Sequence, residues 1–223
     1  MKRKRRRYQK AVAVLAVSHL KFIDESSAQL NLTRRYGWAP SDERVVDSVP
    51  ENHGHNLTTV AALGLSGVQA PLIFEGAMNG AIFRTYIEQN LAPTLQSGDV
   101  VIMDNLPAHK VNGVVELIHA RGAKVLFLPP YSPDLNPIEL CWSKIKSALR
   151  KAKARTIDAL IEALAQALRS VSLTDIVHFM DGSQSYPFMH ETAEKLAEAD
   201  KTVRRVLKDQ LGITEGDAEE LLA

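Results

Sequence analysis

A proline-rich segment constrains the fold of this chain more than any other feature. The segment LPPYSPDLNPIE, residues 128–139, holds four prolines in twelve residues. Proline fixes φ, and it forces the residue before it out of the helical region of backbone space. The first three prolines therefore predict an extended path that then turns, and they exclude a helix there.

The end of this segment carries a helix-start signal. Asn is a favoured helix cap and Pro is favoured at the first helical position, so Asn136 and Pro137 predict a helix from Pro137 onward. Glu139 then lies in the first turn. Its carboxylate suits a capping box with Asn136, and that role leaves open whether Glu139 also takes part in chemistry.

Composition indicates a globular protein. The chain has 223 residues, 45% of them hydrophobic, which is enough for one sizeable core with appendages. Its single cysteine, Cys141, excludes an intrachain disulfide framework and fits a reducing compartment. The early apolar run AVAVLAV, residues 11–17, is too short to span a bilayer. We expect no membrane association and a cytoplasmic location.

Charge is concentrated at the two ends of the chain. Seven of the first ten residues are Lys or Arg, whereas residues 190–223 carry nine acids against five bases. We expect a basic N-terminal arm at 1–18, a main domain at 19–188 and an appended helical acidic tail at 189–223. Such an arm suits nucleic acid binding and equally suits a solvated, disordered terminus.

The order of apolar patterns predicts an α/β domain. Strand patterns come first, strand and helix patterns then alternate, and helices follow, which is typical of a central sheet with helices on its faces. Strands are expected at 19–26, in RRYGWAP (34–40), in 56–67 and 70–80, and at 100–103 and 124–128, with helices at 81–95, at 111–118, from Pro137 to about Lys151, and after a Thr156 cap.

Three acids stand at the ends of predicted elements. Asp24 and Asp104 each follow an apolar strand run, and Glu139 opens a helix. Strand exits gather binding groups in α/β sheets, although each aspartate alone is also an ordinary turn former. Three carboxylates in one place would need a cation, and an all-oxygen set favours Mg²⁺ or Mn²⁺ over zinc. Glu25 should point to the opposite side of its strand, so Asp24 is assigned the ligand role.

These motifs resemble a known family. FIDES with Asp24, VVIMDN with Asp104, and LPPYSPDLNPIE with Glu139 are similar to the DDE transposases of the insertion-sequence-630 and Tc/mariner superfamily. The 34 residues between Asp104 and Glu139 match the spacing of that superfamily, as do RRYGWAP and the HK of DNLPAHK. The resemblance covers roughly residues 22–185.

The resemblance implies a fold, a site and an activity. The fold is the RNase H-like, or retroviral integrase-like, central mixed sheet flanked by helices. Asp24, Asp104 and Glu139 are implied as catalytic residues and ligands of two Mg²⁺ or Mn²⁺ ions. The activity is DNA cleavage at transposon ends and transfer of the 3′-hydroxyl to target DNA. A catalytically inactive or truncated DNA-binding or dimerisation module and a structure-selective nuclease of the same fold are the alternatives.

The resemblance also implies partners. DNA, both transposon ends and target, is the expected substrate, and a homodimer would bring two ends together. Family members carry N-terminal helix-turn-helix domains for which this sequence has no room, so a separate chain is a candidate source of end recognition. We expect a bacterial, nucleoid-associated protein.

Basic residues follow Glu139 along the predicted helix. We expect this surface to hold DNA phosphates, although a solvated amphipathic face is an equal alternative. Asn105 and His109 are placed near the site by family likeness, although each also suits a turn or a helix start. The candidate DNA-binding residues are Lys144, Lys146, Arg150, Lys151 and Lys153.

Overall fold

The computed structural model describes residues 2–13 and 15–183. The predicted tail at 189–223 and the last residues of the predicted main domain lie outside the described residues. Among the described residues, no helix has both the length and the apolar character needed to cross a membrane.

A five-stranded mixed sheet forms the centre of the domain, as the sequence predicts. Its order is β3-β2-β1-β4-β5, with β1 to β3 antiparallel and β1, β4 and β5 parallel. The strands are β1 Leu20–Gln29, β2 Asn56–Gly64, β3 Gly67–Glu75, β4 Val100–Met103 and β5 Lys124–Phe127.

Helices cover both faces of this sheet. They are α1 Lys2–Ala13, α2 Gly80–Tyr86, α3 Val114–His119, α4 Pro137–Ala152, α5 Ile157–Arg169 and α6 Leu173–Gly182. The helix expected at 81–95 changes pitch, because α2 runs on through a π turn at Ile87–Leu91 and a 3₁₀ turn at Ala92–Thr94. Thr156 caps α5 as predicted, its side chain accepting from the Ala159 N–H.

Strand alternation divides the core into two clusters. In β1, Leu20 and Phe22 pack on one face with α1, α4, α5 and α6, while Ile23 packs on the other with α2 and α3. The predicted stripe of α4 faces the first cluster, where Trp142 is core as expected. Since successive strand residues point to opposite faces, Asp24 belongs to the α4 side of the sheet and Glu25 to the α2 side.

The basic N-terminal segment is a helix, so a disordered terminus is the wrong interpretation for residues 2–13. Tyr8 and Val12 are buried in the same cluster as the α4 stripe. Arg5 donates hydrogen bonds to Ser132 Oγ at 3.0 Å and to Asp134 Oδ1 at 2.9 Å. The helix is thereby fixed to the proline-rich segment that leads into α4.

RRYGWAP is not a strand. Residues 34–40 belong to the long connection between β1 and β2, and all of them are exposed. Trp38, which strand pairing would have half buried, has its whole side chain in solvent. These residues pair with neither open edge of the sheet, the outer edges of β3 and β5.

Asp175 joins α6 to α4. Its carboxylate closes a capping box with Ser172 at the start of α6 and forms an ion pair with Lys144 of α4. Burial raises the pKa of Asp175, but hydrogen bonds from Lys144 and Ser172 outweigh burial and lower that pKa to about 2.

Replacement of Asp175 by Ala should lower the free energy of unfolding at neutral pH by about 1 kcal/mol, the usual cost of a lost cap. The folded pKa lies below the ordinary 3.8, so this contribution is present above pH 3.8 and is lost as the pH falls towards 2. Urea unfolding across that range measures the effect. Lys144→Met, which keeps the capping box, should cost less, and a pH-independent penalty in Asp175→Ala would contradict the assignment.

Candidate active site

Two aspartates stand side by side at the ends of adjacent parallel strands. The pairing of β1 with β4 sets Phe22 opposite Ile102, and each aspartate follows two residues later. Asp24 and Asp104 therefore reach the same level of the sheet. The family resemblance implied that both acids would lie at one site.

The proline-rich segment brings Glu139 to the same edge. It leaves the end of β5, turns through a 3₁₀ turn at Pro133–Leu135, and enters α4 at Pro137 as predicted. The predicted capping box is wrong: the Asn136 side chain makes no cap hydrogen bond, and the Glu139 N–H donates instead to the Asn136 carbonyl at 3.2 Å. The exposed Glu139 carboxylate is free of a capping role.

One cavity of about 390 Å³ is lined by all three acids. Asp24 and Asp104 contribute from the sheet, Glu139 contributes from α4, and residues 128–133 form the opposite wall. Tyr131 on this wall has φ 52° and an 88% exposed side chain, which sequence patterns did not single out. The cavity is open to solvent at the edge where the strands end.

Asp24 carries most of the electrostatic cost of this arrangement. Burial raises its pKa, and the negative charge of Glu139 raises it further, to about 7 from the ordinary 3.8. Asp104 differs: burial raises its pKa, but His109 and the Leu106 N–H, 2.9 Å from Oδ1, lower it on balance. The cavity therefore holds carboxylates that stay together at neutral pH only with a proton or a cation between them.

His109 is a buried cation between two acids. Its Nε2 lies 2.7 Å from Glu25 Oε1, and its Nδ1 lies 2.6 Å from Asp104 Oδ1 at an angle outside hydrogen-bond geometry. Burial lowers its pKa, but the two carboxylates outweigh burial and raise it to about 9. The family resemblance placed His109 near the site but gave Glu25 no role there. The only sequence signal for the contact between Glu25 and His109 was the strand alternation, which points Glu25 away from the cavity.

Asn105 acts on the cavity wall. Its side-chain amide donates to the Leu128 carbonyl, at the point where β5 passes into the proline-rich segment. The loop after β4 is thereby fixed to the segment that carries Glu139. Asn105 lines the cavity together with Asp104, and His109 contacts the Asp104 carboxylate.

The donor set suits a hard divalent cation. All three acids offer oxygen ligands, and no cysteine lines the cavity. Within the described residues, no three His, Cys, Asp or Glu side chains lie close enough together to hold one ion. Mutual repulsion of the carboxylates opposes closer approach, and a bound cation removes that repulsion.

Of the five basic candidates, four lie on α4 and Lys153 lies just after its end. Lys144 and Lys153 form ion pairs, with Asp175 and Asp47 respectively. Lys146 forms no ion pair with the described residues. Arg150 and Lys151 line a separate cavity near the end of the helix. Only part of the predicted basic surface thus has charge left for an external anion.

His109 should titrate near pH 9 in protein stripped of divalent metal with EDTA, as measured by NMR of its imidazole. Because its folded pKa exceeds the ordinary 6.5, its contribution to stability is complete below pH 6.5 and is lost as the pH rises through about 9. His109→Gln should abolish this alkaline loss. A wild-type unfolding free energy that stays constant from pH 6.5 to 9 would argue against the buried imidazolium.

Comparison with known proteins agrees with this geometry. A sequence model of the DDE superfamily endonucleases matches residues 19–161. The Tcb1 transposase of Caenorhabditis briggsae is 28% identical over 103 residues, or 44% of this chain and 38% of that protein. The Tc1 transposase of Caenorhabditis elegans is 30% identical over 100 residues, or 45% of this chain and 37% of that protein. The matches thus span about two fifths of these relatives.

Solved structures share the fold. The Mos1 transposase paired-end complex with the left transposon end superimposes with a TM-score of 0.63 at 17% identity, over 88% of this chain and 61% of that one. The Mos1 catalytic domain gives 0.57 at 14% identity, over 86% and 93%. The predicted RNase H-like fold is confirmed. With a family match that includes all three cavity acids, the chain belongs to the DDE superfamily endonucleases.

Proposed function

We propose that this chain is the catalytic domain of a transposase, which cleaves DNA at the ends of a mobile element and joins the 3′-hydroxyl to target DNA. The observation that carries the proposal is the single cavity lined by Asp24, Asp104 and Glu139. The transposase relatives and the Mos1 fold support this choice among the activities of the endonuclease family.

The proposal includes two divalent cations, Mg²⁺ or Mn²⁺, held by the same three carboxylates. The matched Mos1 structures include paired-end complexes with Mg and with Mn. When bound, such ions activate an attacking water or hydroxyl and stabilise the departing oxygen. The raised pKa of Asp24 supports a cation at this position. Without a cation, the Asp24 carboxyl group holds a proton more readily than an ordinary aspartate does, and a bound cation would take the place of that proton.

The residues around the carboxylates orient them. The Leu106 N–H and His109 both contact Asp104 Oδ1. These two contacts fix the rotamer of the Asp104 side chain, and neither of them involves Oδ2. His109 is anchored in turn by Glu25 on the far side of β1. Asn105 fixes the wall that delivers Glu139. Pre-organisation of this kind holds reacting groups within the narrow range that catalysis needs.

The proposal has three partners. DNA is the substrate, and the matched Mos1 complexes contain a transposon end. A second copy of this chain would allow two element ends to be processed together. A separate chain with a helix-turn-helix domain would recognise the ends.

A cleavage and joining assay tests the function. Labelled duplex DNA and a pre-nicked end with a free 3′-hydroxyl are incubated with protein in Mg²⁺ or Mn²⁺, without any requirement for specific end sequences. Asp104→Asn and Glu139→Gln should each lower cleavage by at least about 100-fold, because several kcal/mol of transition-state stabilisation depend on the ligands. Glu116→Gln, an exposed acid on α3, is the matched control and should keep full activity.

The products separate the alternatives. Metal-dependent nicks with joined products establish a transposase, and nicks without joining identify a nuclease of the same fold. Wild-type protein that binds DNA but neither cuts nor joins it would overturn the catalytic proposal in favour of a DNA-binding or dimerisation module.

A second prediction concerns the orienting pair. Glu25→Gln should reduce the cleavage rate about 10-fold to 100-fold, the range typical of residues that orient metal ligands, with little effect on DNA affinity. Steady-state kinetics separate the two effects, as a positioning role lowers kcat and leaves KM near its wild-type value. An unchanged kcat would remove Glu25 from the site.

A further inference from the structure

A second cavity lies beyond the carboxylates, at the C-terminal half of α4. It measures about 280 Å³ and is formed by two parts of the chain. The connection between β1 and β2 supplies Arg34, Arg35 and Tyr36, and α4 supplies Ser147, Arg150 and Lys151. Arg150 and Lys151 belong to the predicted DNA surface, whereas the RRYGWAP motif had no predicted binding role.

Within the described residues, no ion pair compensates the positive charge of this cavity. None of its four cationic side chains forms an ion pair with any residue at 2–13 or 15–183. The neighbouring Lys144 on α4 and Lys153 just after its end are both paired with aspartates. Four like charges around one space repel each other, and an anion that enters the space relieves that repulsion. The chemistry of the lining therefore suits phosphate groups, which guanidinium groups bind in a bidentate manner.

Two exposed aromatic rings adjoin these cations. Tyr36 is 90% exposed although it lines the cavity, and Trp38, two residues on, is fully exposed. An indole ring that lies entirely in water is unusual for a large apolar side chain, and it marks a contact surface. Flat rings beside a cationic groove are the combination with which proteins bind single-stranded nucleic acid: cations hold the phosphates and rings stack on bases.

We propose that this cavity and the adjoining rings form a binding site for an unpaired DNA strand. Its phosphates occupy the space between Arg34, Arg35, Arg150 and Lys151, and its bases stack on Tyr36 and Trp38. A duplex is a poorer occupant, because its base faces are already stacked on one another. This inference rests on the proposed function and extends it, because it assigns a binding site to the strand that lies beside the cleaved one.

The position of the site fits this assignment. Arg150 follows Glu139 by eleven residues on the same straight helix, a separation of about 16 Å along the axis at 1.5 Å per residue. Even at the roughly 3.4 Å per nucleotide of a strand in duplex DNA, this distance spans only about five nucleotides from the bond at the carboxylates, and a more extended unpaired strand needs fewer. Strand separation next to the cleavage site would supply such an unpaired segment.

Binding of fluorescent oligothymidine of about 12 nucleotides, a length within the usual range of one such site, tests the proposal. Anisotropy is measured in EDTA, so that no catalysis is involved. Wild type should bind the single strand more tightly than a duplex of equal length. Arg34→Ala/Arg150→Ala should weaken binding at least about 10-fold and reduce the salt slope by about 1.4, as expected for two lost phosphate contacts.

The aromatic contribution has its own readout. The chain contains two tryptophans, and Trp142 is buried, so quenching of tryptophan emission by the oligonucleotide reports on Trp38. Trp38→Ala should abolish the quenching and weaken binding about 10-fold, the effect of one lost base stack. Because Trp38 makes no buried contact, this variant should keep the circular dichroism spectrum and unfolding midpoint of wild type.

Arg121→Ala/Lys124→Ala is the matched control, since it removes two exposed positive charges at the opposite end of the parallel strands. It should bind as wild type does. Three results would each overturn the site. The two double variants could lose the same amount of affinity, the wild type could bind single strand and duplex equally well, or inorganic phosphate alone could inhibit binding as strongly as the oligonucleotide does. A wild type that binds single strands but shows no cleavage would count against the catalytic proposal only.

Discussion

The parallel pairing of β1 with β4 is the constraint on which the rest of the site depends. Strand register has a period of two, so a slip of one residue would turn Asp24 to the α2 face and bring Glu25 to the α4 face. Side chains packed on both faces of these strands oppose that slip, because Phe22 and Ile102 on one face and Ile23 on the other are completely buried. Core packing therefore fixes which acid enters the cavity, and the chemistry of the site is specified by residues that take no part in it.

The acidic side chains on the two faces of β1 differ in whether a nearby cation balances their charge. On the α2 face, Glu25 is satisfied internally by the His109 imidazolium. On the α4 face, no described residue forms an ion pair with Asp24 or Glu139, and burial together with the charge of Glu139 raises the pKa of Asp24. Proteins rarely keep such a destabilising arrangement without a functional reason. The contrast locates the unbalanced charge in the cavity at the carboxyl ends of β1 and β4.

Local signals predicted the features that depend on neighbours in sequence. The start of α4 at Pro137 follows from proline stereochemistry, and the strand-end aspartates follow from short apolar runs. Contacts between distant segments could not be predicted from the sequence. Glu25 and His109, for example, lie 84 residues apart, and no periodicity links them. The capping box at Asn136 failed for a related reason, since tertiary burial of Asn136 determines where its side chain points.

The bond from Arg5 to the proline-rich segment couples two regions that look independent in sequence. Arg5 holds Ser132 and Asp134, and the same helix buries Tyr8 and Val12 in the main core. Fraying of α1 would therefore free the proline-rich wall of the carboxylate cavity to move. Any interaction that stabilises the packing of α1 would make that wall more rigid. In amide hydrogen exchange, the first helix and the loop before α4 should open as a single cooperative unit.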